Sequence, residues 1–249
     1  MSIPSALPTR LQGLLWAFHP LRLASNLASK RKSVSVVFVL FFANESFAVN
    51  KIENFKWKDN MSFPIEKYSN DKNVNSIIFV KQINGSNAKI VLLKKNDKNE
   101  FEELLSTEGF IGKNGLGKEK EGDSKTPVGD FGIIQAFGIK QNPGTSIDYL
   151  KVNENHYCCD EKCEFYNKII DVAAMNHKCK GEHIIDYSPQ YHYAFFLDYN
   201  KEGIYPKGSA IFMHCKGKKT YTAGCIAVSE SEMIFILRHI DKNTRIIIE

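Results

Sequence analysis

From Ser76 to Glu249 the chain alternates short apolar, β-branched runs with turns rich in Gly, Pro and Asn, a rhythm that excludes any architecture built on long helices. Ile77 to Val80 and Lys89 to Leu93 flank the turn-forming Asn84-Gly85-Ser86, which predicts a hairpin. Further strands are expected at 101–105, 131–135, 183–186, 193–198, 210–214, 226–228 and 244–248. One helix has clear signals. Ser229 and Glu232 form a capping box, the apolar run from Met233 to Leu237 follows, and the helix should end near His239. Strand and helix alternate too rarely for a doubly wound sheet, so the expected class is mainly β with a few short helices.

The 249 residues carry a net charge of +5, and its placement matters more than its size. Arg10, Arg22, Lys30, Arg31 and Lys32 face one acid, Glu45, so residues 1–48 hold +4 of that +5. A nucleic-acid binder carries its positive charge on the folded domain, and no nucleic-acid partner is expected. Residues 1–48 instead read as a leader. Lys30-Arg31-Lys32 is a basic segment, Val34 to Ala43 an apolar core, and Ser46-Phe47-Ala48 supplies small residues for cleavage before Val49. The apolar run is well short of the ~20 residues a membrane helix needs. The expectation is an exported protein, in the periplasm or in the cell wall or extracellular space, with no stable membrane span after signal cleavage. Residues 49–75 form a polar lead-in with Trp57 and Phe63 as anchors, and 76–249 form one domain.

Export changes how the six cysteines are read. Cys158, Cys159, Cys163 and Cys179 cluster apart from Cys215 and Cys225. In an oxidising compartment the four can form up to two disulfides, in connectivities that sequence does not fix. A zinc site drawing on His177 or His183 is the alternative. The spacing matches no common zinc knuckle, so disulfides or reduced thiols are preferred and no metal is expected.

Two segments invite a chemical reading. Gly112 to Lys118 fits the first seven positions of a phosphate-binding loop. The eighth, where Ser or Thr would ligate magnesium, is Glu119, and no apolar-faced helix follows. A long polar loop ended by Pro127 and Gly129 is the better reading. The second segment runs from Ile211 to Ser229. It places His214 and Cys225 on short apolar runs joined by a Gly- and Lys-rich turn. The spacing permits adjacent strands with a tight connection, each delivering one side chain to a shared cleft. An imidazole beside a thiol raises its thiolate fraction and can later protonate a leaving amine. Amides around Gly224 and Cys225 could hold an oxyanion. Period-two alternation sends Cys215 to the face opposite His214, as a buried small apolar residue.

The wider pattern gives this pair a context. In order come Gly122-Asp123-Ser124-Lys125-Thr126-Pro127-Val128-Gly129-Asp130-Phe131, Phe165-Tyr166-Asn167, Asp198-Tyr199-Asn200, Gly208 to His214, and Thr222-Ala223-Gly224-Cys225-Ile226-Ala227. Over roughly residues 76–249 this resembles the L,D-transpeptidase catalytic domain (YkuD-type) family. The resemblance implies a β-sandwich, no cofactor, and peptidoglycan stem peptides as partners. It implies Cys225 as nucleophile, His214 as base and Gly224 at the oxyanion site, with Tyr221, Thr222 and Tyr199 as candidates for lining the cleft. The chain departs from the commoner family pattern at Ala223 and Ala227, where many members carry polar groups. Formation of 3→3 crosslinks by a monomer is the expected function. The alternatives are an L,D-carboxypeptidase and a non-catalytic secreted wall-binding module.

Overall fold

The computed structural model describes residues 65–249; the expected leader with its signal peptide (1–48) and the lead-in as far as residue 64, with Trp57 and Phe63, lie outside the described residues. The strands are β1 (Ser76–Asn84), β2 (Asn87–Lys95), β3 (Phe101–Phe110), β4 (Gly129–Phe131), β5 (Ile133–Gly138), β6 (Tyr149–Lys151) and β7 (His156–Cys158). They continue with β8 (Ile169–Asp171), β9 (Glu182–His183), β10 (Ala194–Leu197), β11 (Phe212–Cys215), β12 (Ile226–Val228) and β13 (Arg245–Ile248). The helices are α1 (Ile65–Ser69) and α2 (Glu230–His239).

The hairpin expected around Gly85 is β1–β2, and Gly85 turns it at φ +51°. Ten strands make one sheet in the order β4-β13-β1-β2-β3-β12-β11-β10-β5-β6. β4 sits at one end and β5 near the other, yet only Gly132 separates them in the chain. The sheet therefore wraps until its ends meet, which makes it a sandwich. Ile78 and Val80 of β1, Ile90 and Leu92 of β2, Phe195 and Leu197 of β10, and Met213 and Cys215 of β11 accordingly share one enclosed core. Each fully buried aliphatic or Phe side chain there contributes about 1.5–3 kcal/mol. A three-stranded sheet, β8-β7-β9, stands apart from it.

Alternation along β11 sorts the site from the core. Met213 and Cys215 enter the main core, whereas Phe212 joins a second cluster that contains Cys225. α2 begins with the expected box: Ser229 Oγ accepts from Glu232 N, and Glu232 Oε2 accepts from Ser229 N at 2.8 Å. Its buried Met233, Ile236 and Leu237 complete the main core.

Three expected strands are corrected. The run at 131–135 breaks at Gly132, whose N–H is taken by Asp198 Oδ1 at 2.8 Å, because the chain there leaves one end of the sheet for the other. The strand at 210–214 starts only at Phe212, since Ala210 lies at φ +54°. The strand at 183–186 stops at His183 and tightens into a 3-10 turn over Ile184–Asp186. Among the four clustered cysteines, Cys159 and Cys179 are paired, while Cys158 and Cys163 are free.

Candidate active site

β11 and β12 run parallel, with Met213 opposite Ile226 and His214 opposite Ala227. A parallel pair cannot be closed by the tight connection expected from sequence. The chain from 216 to 225 instead crosses over, and in doing so it walls a cleft of about 700 Å³ whose lining includes both Cys225 and His214. The two candidate residues are thus brought to one cavity from neighbouring strands.

The Cys225 thiol is held by main chain. Its Sγ donates to Ala210 O at 3.1 Å and accepts from Phe212 N at 3.3 Å. Burial pushes it up to about 12, and the nearby Glu182 carboxylate adds to this against the Phe212 N–H and the Lys118 charge. His214 is also buried, and loss of hydration lowers its pKa to about 4. The resting pair is therefore thiol and neutral imidazole. His214 Nδ1 lies 2.8 Å from Cys215 O. A carbonyl only accepts, so Nδ1 carries the proton and Nε2 is the basic nitrogen. Sequence reasoning missed this orienting group. It belongs to the backbone of Cys215, and a main-chain carbonyl leaves no signature in a sequence.

The Lys-Thr-Pro block supports the backbone around Cys225. Thr126 Oγ1 donates to Gly224 O at 2.7 Å and accepts from Gly112 N at 2.8 Å. Thr222 Oγ1 donates to Cys225 O at 2.6 Å and accepts from Gly224 N at 3.1 Å. Gly224 itself is at φ +149°, and a Cβ there would meet Lys125 O at 2.9 Å. The Gly112–Lys118 loop is more than a polar surface loop. Lys118 Nζ pairs with Asp123 Oδ1 at 2.9 Å, with both side chains almost wholly covered. Burial raises the Asp123 carboxyl, but N–H groups of Glu119, Lys120 and Lys125 and the Lys118 ammonium together hold it well below the usual carboxylate range.

The two Tyr-Asn blocks hold the other side of the thiol. Asn167 Nδ2 donates to the carbonyls of Tyr199 and Asn200 at 2.9 and 2.8 Å, and its Oδ1 accepts from Ala210 N at 2.9 Å. Asn200 Nδ2 reaches Gly208 O at 2.8 Å. This network keeps Ala210 in a left-handed conformation that aims its carbonyl at Cys225. Such a conformation is costly for a residue with a Cβ.

The remaining expected residues divide. Tyr221 and Thr222 line the cleft, Thr222 chiefly as a support for Cys225 O. The half-exposed Tyr221 ring lies 5.6 Å from Lys113 Nζ and 5.6 Å from Lys219 Nζ. Tyr199 is not brought to the cleft. It packs edge-on against Phe131 in the main core and donates its hydroxyl to Lys207 O at 2.7 Å. Cys215 is buried opposite His214, as alternation requires, and donates to Tyr193 O. Two further groups in the cleft had no sequence signal. Tyr191 packs edge-on to His214 with ring centres 5.4 Å apart and donates its hydroxyl to Glu182 Oε2 at 2.7 Å. Burial raises the Glu182 carboxyl to about 7, with Asp160 and Glu121 adding to the rise against the Tyr191 hydrogen bond.

A buried thiol and an oriented imidazole lining one cleft of a wrapped β-sandwich are the parts that a cysteine acyl-transfer domain needs. The family's sequence model matches residues 80–248, and the chain belongs to the L,D-transpeptidase catalytic domain (YkuD) family. Members of this family are cysteine-dependent L,D-transpeptidases of the periplasm and cell wall that act on peptidoglycan stem peptides. Among solved structures, the chain is similar to the helical cell-shape-determining protein Pgp2 of Campylobacter jejuni, at 16% identity and TM-score 0.39, covering 74% of this chain and 53% of that one. A point mutant of Pgp2 matches at 19% identity and TM-score 0.38, covering 74% and 52%. The chain thus spans about half the length of these structures. No curated protein matches it in sequence. No helix among the described residues is long and apolar enough to cross a membrane.

Proposed function

We propose that this chain is an exported peptidoglycan L,D-transpeptidase that forms 3→3 crosslinks through a thioester on Cys225. The observation that carries the reading is the pairing, at one cleft, of the Cys225 thiol with an imidazole whose Nδ1–H is fixed on Cys215 O. His214 Nε2 takes the thiol proton as Sγ attacks the carbonyl between the third, diamino-acid residue and the fourth D-alanine. The same proton then passes to the departing amine of D-alanine, leaving the thioester. The Gly224 amide is engaged by Thr222, so the Cys225 amide is the donor of that pair that faces the developing oxyanion. Gly224 contributes through its conformation. An amine of a second stem resolves the thioester and returns its proton through His214.

The walls of the cleft suit this substrate. Lys113, Lys218 and Lys219 stand on two loops around Tyr221, where the carboxylates of a stem peptide would dock. Glu182, which also lines the cleft, offers its ionised carboxylate to the ammonium of an acceptor stem. The test is incubation of the purified protein with disaccharide-tetrapeptides, with products resolved by mass spectrometry. Crosslinked dimers with release of D-alanine are expected, and none should form with Cys225→Ala. Tripeptides without dimers would replace transfer by hydrolysis. No acyl adduct on Cys225 with either substrate or a carbapenem would overturn catalysis altogether.

A further inference from the structure

The segment between β7 and β9 carries a second cluster of sulfur and imidazole that the reaction does not use. Cys159, Cys163 and His177 bring their ligand atoms within 4.8 Å of one another. Cys179 joins them through its pairing with Cys159. That pairing accounts for two of the four side chains and leaves two features without a role. Cys163 stays a free thiol at the edge of the pair. His177 Nε2 is buried with no hydrogen-bond partner. An orphaned imidazole nitrogen enclosed near the Cys159 and Cys163 sulfurs is costly unless something fills its lone pair.

We propose that these four side chains, with the cysteines as thiols as synthesised, form a structural site for one zinc-class cation. Cys159 and Cys163 come from one tight loop, closed by Asn167 N donating to Cys159 O at 2.8 Å. His177 and Cys179 come from a second, and two short ligand pairs on separate loops are the usual plan of a closed tetrahedral site. Ligand atoms about 2.0–2.3 Å from zinc stand roughly 3.8 Å or less apart, so Cys159, Cys163 and His177 need a closure of about 1 Å, while the Cys159 and Cys179 sulfurs, bonded to each other here, must separate on reduction. Gly181 N donates to Cys179 Sγ at 3.3 Å, and Lys162, Lys178 and Lys180 flank the ligands in sequence, so a donor and positive charge surround a cation bound by three sulfurs. On binding, each of the three thiols releases its proton to solvent and His177 enters neutral, so the step needs no redox partner. The disulfide and the cation are alternative fates of Cys159 and Cys179. The cation also has a structural consequence for the cleft. Glu182 lies three residues beyond Cys179, so the site would tether the wall that carries it. Cys158, adjacent in sequence, is excluded because strand alternation turns it into the second core cluster.

The test uses the full chain, purified with a non-chelating phosphine reductant and stripped of metal. Zinc content is read by elemental analysis and native mass spectrometry, and ligand type from the absorption of the cobalt(II)-loaded protein. We expect one metal per chain and thiolate-to-cobalt charge-transfer bands. Cys163→Ser and His177→Ala should each weaken binding by at least about 100-fold, beyond what loss of an outer-shell partner costs. Cys158→Ala should keep the metal. Wild-type protein that is folded and reduced yet takes up no stoichiometric metal would overturn the proposal, and this arm does not depend on any variant folding. Unchanged cobalt affinity and undiminished charge-transfer intensity in Cys163→Ser, or metal lost with Cys158→Ala alone, would overturn the ligand assignment.

Discussion

Replacing Glu182 by Gln tests the electrostatics of the cleft through stability as well as chemistry. The folded protein raises this carboxyl to about 7 from an ordinary value of 4.5, chiefly by burial. The sign follows from proton counts. Between these two values the folded state holds a proton that the unfolded chain has lost, so stability is fully present below pH 4.5 and falls as pH rises through 7. The shift corresponds to about 3 kcal/mol at full effect, and partial exposure to the cleft reduces it to about 2 kcal/mol. Gln keeps the shape and the acceptor for the Tyr191 hydroxyl but cannot ionise. Urea unfolding from pH 5 to 8 should therefore find Glu182→Gln similar to wild type at the acid end. At pH 8 it should be more stable by about 2 kcal/mol, a midpoint shift of about 1 M. Loss of the carboxylate also removes one cause of the raised Cys225 thiol, so alkylation of Cys225 by iodoacetamide should be faster in the variant at pH 8. Parallel stability profiles for the two proteins across this range would refute the assignment of a raised carboxyl at this wall.

Three other perturbations probe the supports of the thiol. Thr126→Val removes the partner of both Gly112 N and Gly224 O; with about 1–3 kcal/mol for each buried group left unpaired, unfolding should show a loss of roughly 2–6 kcal/mol, and Thr126→Ser should restore most of it. Asn167→Ala strips three buried hydrogen bonds and should cost at least about 2 kcal/mol in the same assay. Ala210→Gly should instead be neutral to within about 1 kcal/mol, because relief at φ +54° offsets the added chain entropy; a large loss would show that Ala210 is not strained. In Glu182→Gln, where the titration near 7 is absent, the rate of Cys225 acylation should hold constant down to about pH 5 and fall with a midpoint near 4, where His214 takes a proton, and a midpoint at 6.5 would contradict its burial.

Local signals in the sequence were read well, and distant ones were not. The β1–β2 hairpin and the Ser229–Glu232 box are complete within a few residues, so their chemistry is visible in one dimension. The assignment of Cys215 to the core followed from alternation alone. Tyr199 shows the opposite case. It stands in a recurring block beside Asn200, yet that block serves the Asn167 network and Tyr199 turns into the core. Lys118 lies in a segment whose composition reads as a long polar loop, and only the folded structure shows its side chain buried against Asp123. The parallel pairing of β11 with β12 is invisible because the connection from 216 to 225 is short enough to suggest a hairpin. What carries the site, including Cys215 O, Ala210 O, Phe212 N and the Gly224 backbone, is main chain, and every residue type offers the same groups.

This reliance on main chain also constrains when the nucleophile forms. With the thiol near 12, a free thiolate at neutral pH would cost about 7 kcal/mol. Moving its proton to an imidazole near 4 costs about 11 kcal/mol before the two charges attract. Even if the two groups were brought to about 4 Å, attraction would return only around 4 kcal/mol in a partly polar interior. A standing ion pair is thus out of reach in the resting cleft, and the thiol stays protonated on Ala210 O. In the proposed mechanism a substrate changes the balance by excluding water and placing its carbonyl where the Cys225 amide would take the oxyanion. Proton transfer to His214 and attack by Sγ would then occur together, since neither charge is stable alone. The networks of Thr126, Thr222 and Asn167 matter to this step because they fix the amide and the carbonyl on either side of the sulfur before the substrate arrives.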